Sequence, residues 1–374
     1  MPDILTTHVG SLPRGDELAP LLLARDHGEP CDAAVFDRIV QAAVIDAVAR
    51  QERCGVSIVS DGELGKVGYS TYVTDRLSGF GGNVARKPAL DLAALPQLRK
   101  KLVAIMGEQE FVRSSCVGPV KLRNLQPCLD DIRRFRQAMQ GRKVRGFMNA
   151  ASPGLITAFQ PNAFYPSHEA YLADLVAAMQ PEFEAIATSG FQLQLDCPDL
   201  AMSRHTGYQD KTEEQFLKIA AANVEALNAA TAGIAPEKLR MHVCWGNYEG
   251  PHDFDIPLER IINIILRARP ATILFEAANP RHEHEWKVWA QASIPDDKVL
   301  APGLIDTCSN YIEHPELIAQ RIERFAAIVG VERVVASTDC GFGTFAGYGK
   351  LDPAVTWKKL VALREGADLA ASRL

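Results

Sequence analysis

The sequence predicts an α/β fold of (β/α)8 type, a TIM-like barrel with a long excursion after its second strand. Short apolar runs of strand length recur eight times along 374 residues, and amphipathic segments of helix length lie between most of them. That alternation implies parallel strands joined by right-handed crossovers, for which a closed barrel is the natural solution. The chain length also suits one barrel, and no internal repeat, low-complexity tract or interdomain linker interrupts it. Residues 1–374 therefore read as a single domain.

The expected strands are 5–9 (LTTHV), 56–60 (VSIVS), 144–149 (VRGFMN), 191–196 (FQLQLD), 239–244 (LRMHVC), 272–276 (TILFE), 299–305 (VLAPGLI) and 333–338 (RVVAST). Between the first two, Phe36, Ile39, Val40, Ala43, Val44, Ala47 and Val48 keep the spacing of a helix buried on one face. Residues 62–143 form the excursion, with an extra strand pair expected near FVRSSCVGPVKLR. Residues 150–170, rich in proline and aromatics, read as a lid or rim loop. Both follow strand ends and are expected over the active face. Thr212-Glu213-Glu214-Gln215 has the form of a capping box opening a helix through Leu227. Pro315 at a first helical position and Gly330 after the last turn bracket another helix.

Composition narrows the class. An apolar fraction of 47% with 23% charged residues is that of a core-forming globular protein. The net charge of −6 and the absence of a basic stripe argue against nucleic acid as a main partner. The N-terminus has neither a charged nor an apolar signal region, and no apolar run approaches the length of a membrane span. Cysteines 31, 54, 116, 128, 197, 244, 308 and 340 lack a disulfide-framework spacing. The expectation is a soluble cytoplasmic protein whose partners are small molecules, with room for self-association into a homo-oligomer.

The chemistry is expected where strands end, because the C-terminal strand ends of a parallel barrel converge on one face. His242 and Cys244 close the fifth expected strand, Glu276 the sixth, and Cys340 follows the eighth. One imidazole, two thiols and a carboxylate form a soft, closed ligand set suited to zinc. Singly, each is as well explained as a core residue, and Glu276 by a salt bridge to Arg281; together at strand ends they favour the metal. Such a set is too negative to polarise a carbonyl well and better suited to deprotonating a substrate thiol. Other strand ends supply His8 and Ser11, Asp61 and Glu63, Asp196, and Asp306 with Cys308. Acidic groups there could hold an ammonium, against the alternative of capping helices. His282 and His284 in RHEHEW do not share a helix face and read as a solvated helix start. The glycine pairs at 341/343 and 347/349 lack the context of a dinucleotide site.

These segments resemble the catalytic barrel of cobalamin-independent methionine synthases and the wider zinc-dependent thiol-alkylating family around it. THVGSLPR is similar to the family's opening IGSxP segment, IVSDGE to its second-strand acidic segment, and QLDCPDL to its DEPAL segment. HVC, ILFE and STDCG look like its three zinc-ligand segments. The match runs from residue 6 to about 345 in one consistent order. The resemblance implies a zinc-activated homocysteine methylated by a folate donor. It implies His242, Cys244, Glu276 and Cys340 as zinc ligands, with Ser11, Glu63 and Asp196 holding the amino acid. In the segment after the seventh strand, Cys308 stands where the family has its histidine proton donor, and Asp306 and Cys308 are its expected catalytic residues. The folate half departs further. Ser115 and Gly118 replace the arginines of an SRCVRP segment, a stacking tryptophan is replaced within Asn149-Ala150-Ala151, and a family acid falls at about Met202. The implied activity is zinc-dependent S-alkylation of a small thiol, most simply methyl transfer to homocysteine. Epoxide opening by coenzyme M, as in single-barrel epoxyalkane:coenzyme M transferases, is the nearest alternative. A zinc-carrying binding or methyl-acceptor partner protein without its own turnover is the alternative of another class.

Overall fold

The computed structural model describes residues 3–107, 113–349 and 351–374. Its strands in chain order are β1 (Ile58–Ser60), β2 (Phe80–Gly81), β3 (Ser115–Cys116), β4 (Arg145–Ala151), β5 (Gln192–Asp196), β6 (Leu239–Val243), β7 (Thr272–Phe275) and β8 (Val299–Pro302). Six of them form one parallel sheet in the order β1-β4-β5-β6-β7-β8. Register within it is set residue against residue, with Asp196 of β5 opposite His242 of β6 and Val243 opposite Phe275 of β7.

The sheet curls. Val9, Ile58, Phe147, Leu274, Ala301 and Val335 come from six separate segments and meet in one apolar cluster. The expected first and eighth strands lie between the sheet's two edges but do not form ladders. They make isolated parallel bridges instead, Thr6 to Ala336, Leu300 to Val334 and Gly303 to Ser337. Side chains take over part of the pairing there, since Thr6 Oγ1 donates to the Gly55 carbonyl and Thr7 Oγ1 to that of Ile58. At the other edge Pro302 brings no N–H. What the ladders amount to is a curled six-stranded parallel sheet.

Strand alternation decides what faces the inside of the curl. On β6, Leu239, Met241 and Val243 belong to the main core, while Arg240 and His242 take the opposite face and Cys244 continues it. Arg240 lies over the Phe147 ring at 3.8 Å and donates to Thr7 Oγ1 and the His8 carbonyl. The main core lies between the sheet and its helices. Helix Ala33–Arg53 buries Phe36, Val40, Val44, Ala47 and Val48, and Asp32 caps it by accepting from Ala34 and Val35 N–H. The capping box of Thr212 and Gln215 opens helix Glu213–Ala230. Helix Pro315–Val329 starts on its proline and stops at Gly330, whose φ of +87° suits glycine.

The excursion is largely ordered. It contains helices Leu90–Ala94, Pro96–Met106 and Gln126–Ala138. The extra strand pair is the antiparallel couple β2–β3, with Phe80 opposite Cys116, while Phe111 and Val112 of that expectation lie outside the described residues. The expected rim loop at 150–170 is mostly not a loop. Ser152 accepts from Leu155 N–H to cap helix Pro153–Phe159, which buries Leu155, Ile156 and Phe159. Proline there sits at the helix start, where its missing N–H costs nothing. Among the described residues no helix is long and apolar enough to cross a membrane.

Candidate active site

Two hollows meet at the C-terminal ends of the strands. The inner chamber, about 40 Å³, is lined by Ser11, Glu63, Tyr69, Asp196, His242, Cys244, Asn247 and Cys340 among others. The outer cavity, about 520 Å³, is bordered by Glu276, Asp306, Cys308 and His252, and it shares Cys340 and Asn247 with the chamber. Tyr69 comes from the excursion, which thus does reach the active face.

His242, Cys244 and Cys340 present donor atoms that all lie within 4.8 Å of one another, the one such set among the described residues. Their chemistry fits zinc. Cys244 Sγ and Cys340 Sγ are 3.8 Å apart, the span of two thiolates around a tetrahedral ion with Zn–S bonds of about 2.3 Å. His242 Nε2 donates to the Asp339 carbonyl at 3.1 Å, which fixes the tautomer and leaves the Nδ1 lone pair free. Burial pushes His242 down to about 4, with Arg240 beneath it, so the imidazole is the neutral, ligating form. The hydrogen bond with Cys340, burial and neighbouring charge hold the Cys244 thiol well above its ordinary range. A divalent cation is what would let both sulfurs be thiolates.

Glu276 is placed differently. Its Oε1 accepts from Trp245 N–H at 2.7 Å and its Oε2 from Asn279 Nδ2 at 2.7 Å. It borders the outer cavity beside Cys340 and stands outside the three-donor set. Each of these oxygens keeps a second lone pair.

The side of the chamber formed by Ser11, Glu63 and Asp196 is acidic and incompletely satisfied. Asp196 accepts from Asn149 Nδ2 at 3.2 and 3.1 Å and from Gln194 Nε2 at 3.2 Å, and stands 3.9 Å from His242 Nδ1. Burial, and then the charge of Glu63, push Asp196 up to about 8. Glu63 is buried at φ +55°, and its Oε2 has no hydrogen-bond partner, with Lys66 Nζ 3.8 Å away. A buried, orphaned carboxylate oxygen facing a hollow calls for a cationic ligand. Lys66 is committed elsewhere, donating to the Asn149 carbonyl at 2.7 Å, and Arg14 ties down the carbonyls of Glu63 and Lys66. Ser11 packs on Gly341, where a Cβ would come within 2.0 Å of its Oγ, so only glycine leaves the serine room.

Of the remaining expected residues, Asp306 and Cys308 border the outer cavity. His8 lies away from the chamber, bonded to Gln51 at 2.7 Å and pushed by burial to about 4. Asp306 Oδ1 accepts from Cys308 N–H at 2.8 Å, and Cys308 Sγ donates to Asn247 Oδ1 at 3.2 Å. Burial and nearby acids raise the Cys308 thiol well above its ordinary range.

Sequence reasoning missed several residues. Asp339 takes N–H groups from Ala277, Ala278 and Asn279, each at 2.8 Å, and so fixes the Glu276 segment. Asn247 bridges the two hollows, donating to the Gly341 carbonyl and Thr344 Oγ1. The reading of RHEHEW as solvated holds for exposed His284 but fails for His282, which is buried between Asp255 and Glu285. A charge partner distant in sequence, Asp255, draws it in. Only Asp339, adjacent to Cys340, carried a local sequence signal.

The chain is similar to known proteins over nearly its whole length. The family described as cobalamin-independent synthase, catalytic domain, matches residues 4–348. A methionine synthase of Thermococcus kodakarensis is 24% identical over 378 residues, covering 100% of this chain and 95% of the relative. One of Pyrococcus furiosus is 25% identical over 363 residues, covering 96% and 91%. Among solved structures, a B12-independent methionine synthase from Shewanella sp. W3-18-1, in complex with selenomethionine, superposes with a TM-score of 0.76 at 19% identity, covering 100% of this chain and 99% of that one. A putative vitamin-B12 independent methionine synthase from Listeria monocytogenes gives 0.66 at 18%, covering 98% and 99%. These two share the fold. With the family matched over nearly its whole length, the chain belongs to the cobalamin-independent synthase catalytic-domain family.

Proposed function

We propose that this protein is a zinc-dependent methyltransferase that methylates homocysteine, working as one (β/α)8 barrel domain over residues 1–374. The curl of the sheet and the bridges from Thr6 and Ala336 across its open side support the barrel reading. The observation that carries the function is one small chamber holding both His242, Cys244 and Cys340 and the under-satisfied carboxylates Glu63 and Asp196. Methionine synthases among its relatives favour the same reaction.

His242, Cys244 and Cys340 would hold the zinc, with Glu276 as a fourth ligand that exchanges with substrate. A zinc ion there would supply a soft electron-pair acceptor that keeps a sulfur group deprotonated at neutral pH. Glu63 and Asp196 pair with the substrate ammonium, and its charge draws Asp196 back to the ionised form. Ser11 closes the amino-acid end. Asp339 holds His242 in its ligating tautomer, and Asn247 fixes the wall between thiol and donor. The same acid pair disfavours coenzyme M, which brings a sulfonate and no ammonium.

Cobalt-substituted protein tests the reading. Homocysteine should produce a new sulfur-to-metal absorption band, and the zinc form should convert homocysteine to methionine with a methyl donor. An unchanged spectrum at saturating homocysteine would overturn thiol activation.

A further inference from the structure

Beside the outer cavity lies a buried cluster that the proposed chemistry has not used. Asp255 is surrounded by three histidines. His252 Nδ1 meets Asp255 Oδ2 at 2.8 Å, His282 Nε2 meets the same oxygen at 3.0 Å, and His205 Nδ1 lies 3.0 Å from Oδ1. The second nitrogens of two rings also face acceptors. His252 Nε2 is 2.9 Å from the Tyr248 carbonyl, and His282 Nδ1 is 2.9 Å from Glu285 Oε2. Neither a carbonyl nor a carboxylate can donate, so both nitrogens of each ring must carry hydrogen. His252 and His282 are therefore imidazolium ions.

Only one of the three rings reaches the cavity. The His205 and His282 side chains are 1% and 3% exposed, whereas His252 is 12% exposed and lines the hollow with Glu276, Cys308 and Cys340. Its backbone is held at φ +56°. Among the described residues the other non-glycine residue at positive φ is Glu63, in the inner chamber. Strain of this kind persists where the surroundings enforce it, often at working sites. Here Asp91 enforces it, accepting from His252 N–H at 3.1 Å and from Tyr248 Oη at 2.7 Å.

Resting on the methyl-transfer reading above, we propose that His252 is the general acid of the outer cavity and protonates the leaving group of an amine-type methyl donor. Asp255, with His205 and His282 behind it, and Asp91 are its positioning residues. As the substrate sulfur bonds to the methyl carbon, the carbon–nitrogen bond of the donor breaks and its electron pair passes to nitrogen. The Nε2 proton of His252 turns from the Tyr248 carbonyl to that nitrogen. The ring is left neutral and still donates through Nδ1 to Asp255. The proton shed by the next homocysteine thiol restores it, so protons balance over a cycle. Cys308, which also lines the cavity, is a poor acid, its thiol bonded to Asn247 and held protonated by burial. Burial alone would lower His252, but its hydrogen bond to Asp255 and the nearby carboxylate charge outweigh that and raise it above the ordinary histidine value.

The test uses two methylating agents with full-length zinc enzyme and homocysteine. Methyltetrahydrofolate leaves as an amine that needs a proton, while methyl iodide leaves as iodide that does not. His252→Gln should slow turnover with methyltetrahydrofolate by about 100-fold or more, while methyl iodide alkylation changes by less than about threefold in the same scale of effects. Equal losses with both agents, or none with methyltetrahydrofolate, would overturn the assignment. Wild-type alkylation by methyl iodide but not by methyltetrahydrofolate would overturn the acid while leaving thiol activation standing. Alkylation by neither would overturn the methyl-transfer reading beneath it.

Discussion

The backbone carbonyl of Asp339 accepts from His242 Nε2 at 3.1 Å, while the Asp339 carboxylate takes backbone N–H groups from the segment that carries Glu276. One residue thus sets the tautomer of one expected ligand and the position of another. Asp339→Ala would leave those buried N–H groups unpaired, costing about 1–3 kcal/mol for each group left unsatisfied. It should weaken zinc affinity roughly 10- to 100-fold. Competition against a chromogenic chelator, alongside thermal unfolding, measures both.

About one zinc per chain is expected in the purified protein, from the ligand logic of a closed N/S set. Cys244→Ser and Cys340→Ser should each lose most of it by elemental analysis. Full occupancy in both variants would remove the site as drawn.

Asp196→Asn should weaken homocysteine binding at least about tenfold, since a charge-assisted hydrogen bond contributes roughly 1.5–3 kcal/mol. Zinc content should stay intact. Because burial and Glu63 raise Asp196 to about 8, its free form is mostly protonated at pH 7 and must ionise to receive an ammonium. Affinity for an amino acid without a thiol, such as norleucine, should therefore rise as pH climbs towards that value and then level off. Calorimetry in two buffers of different ionisation enthalpy reads the released proton. A pH-independent affinity would contradict the pairing.

His8 is buried neutral at about 4, below the usual histidine value of about 6.5. Below that value the unfolded chain binds a proton that the folded chain does not. The resulting stability is therefore present at neutral pH and is lost as pH falls from about 6.5 towards about 4. At pH 4.5 the loss is on the order of 2 kcal/mol from this residue. His8→Gln should flatten that limb of the stability profile in urea unfolding, even if it lowers stability at pH 7.

Methyltetrahydrofolate triglutamate should show little advantage over the monoglutamate. Ser115, Gly118 and Ala150 stand at the positions that would bind a tail or stack a pterin, and the Arg86 guanidinium of the excursion is packed over Phe159 at 3.8 Å. Steady-state comparison with homocysteine as acceptor decides it. A strong preference for the triglutamate would mean that the excursion supplies the missing cations.

Much of this arrangement was legible along the chain. The six ladder strands, the helix over 33–53, the capping box at Thr212 and the proline-to-glycine limits of helix 315–329 follow from periodicity and end chemistry, which are local. So was the donor trio, because H-x-C puts both groups on one face of a strand and Cys340 follows the segment expected as the eighth, which forms only isolated bridges. The segment at 150–170 misled because proline and aromatics mark loops only when the aromatics stay exposed, and here the core buries Phe159. His282 misled for a similar reason, since it was judged from its i, i+2 spacing to His284 rather than from Asp255, 27 positions away.

By itself the sequence determined which residues could ligate and which apolar segments they follow, since each depends on spacings of a few residues. Tertiary structure alone decided their partners. The parallel register sets Asp196 beside His242, the curl of the sheet brings Ser11 against Gly341, and the 248–255 loop brings Asp255 and His252 against His205 and His282. Charge and ligation depend on atoms within a few ångströms, and in a parallel α/β fold those atoms come from strand ends separated by whole crossovers.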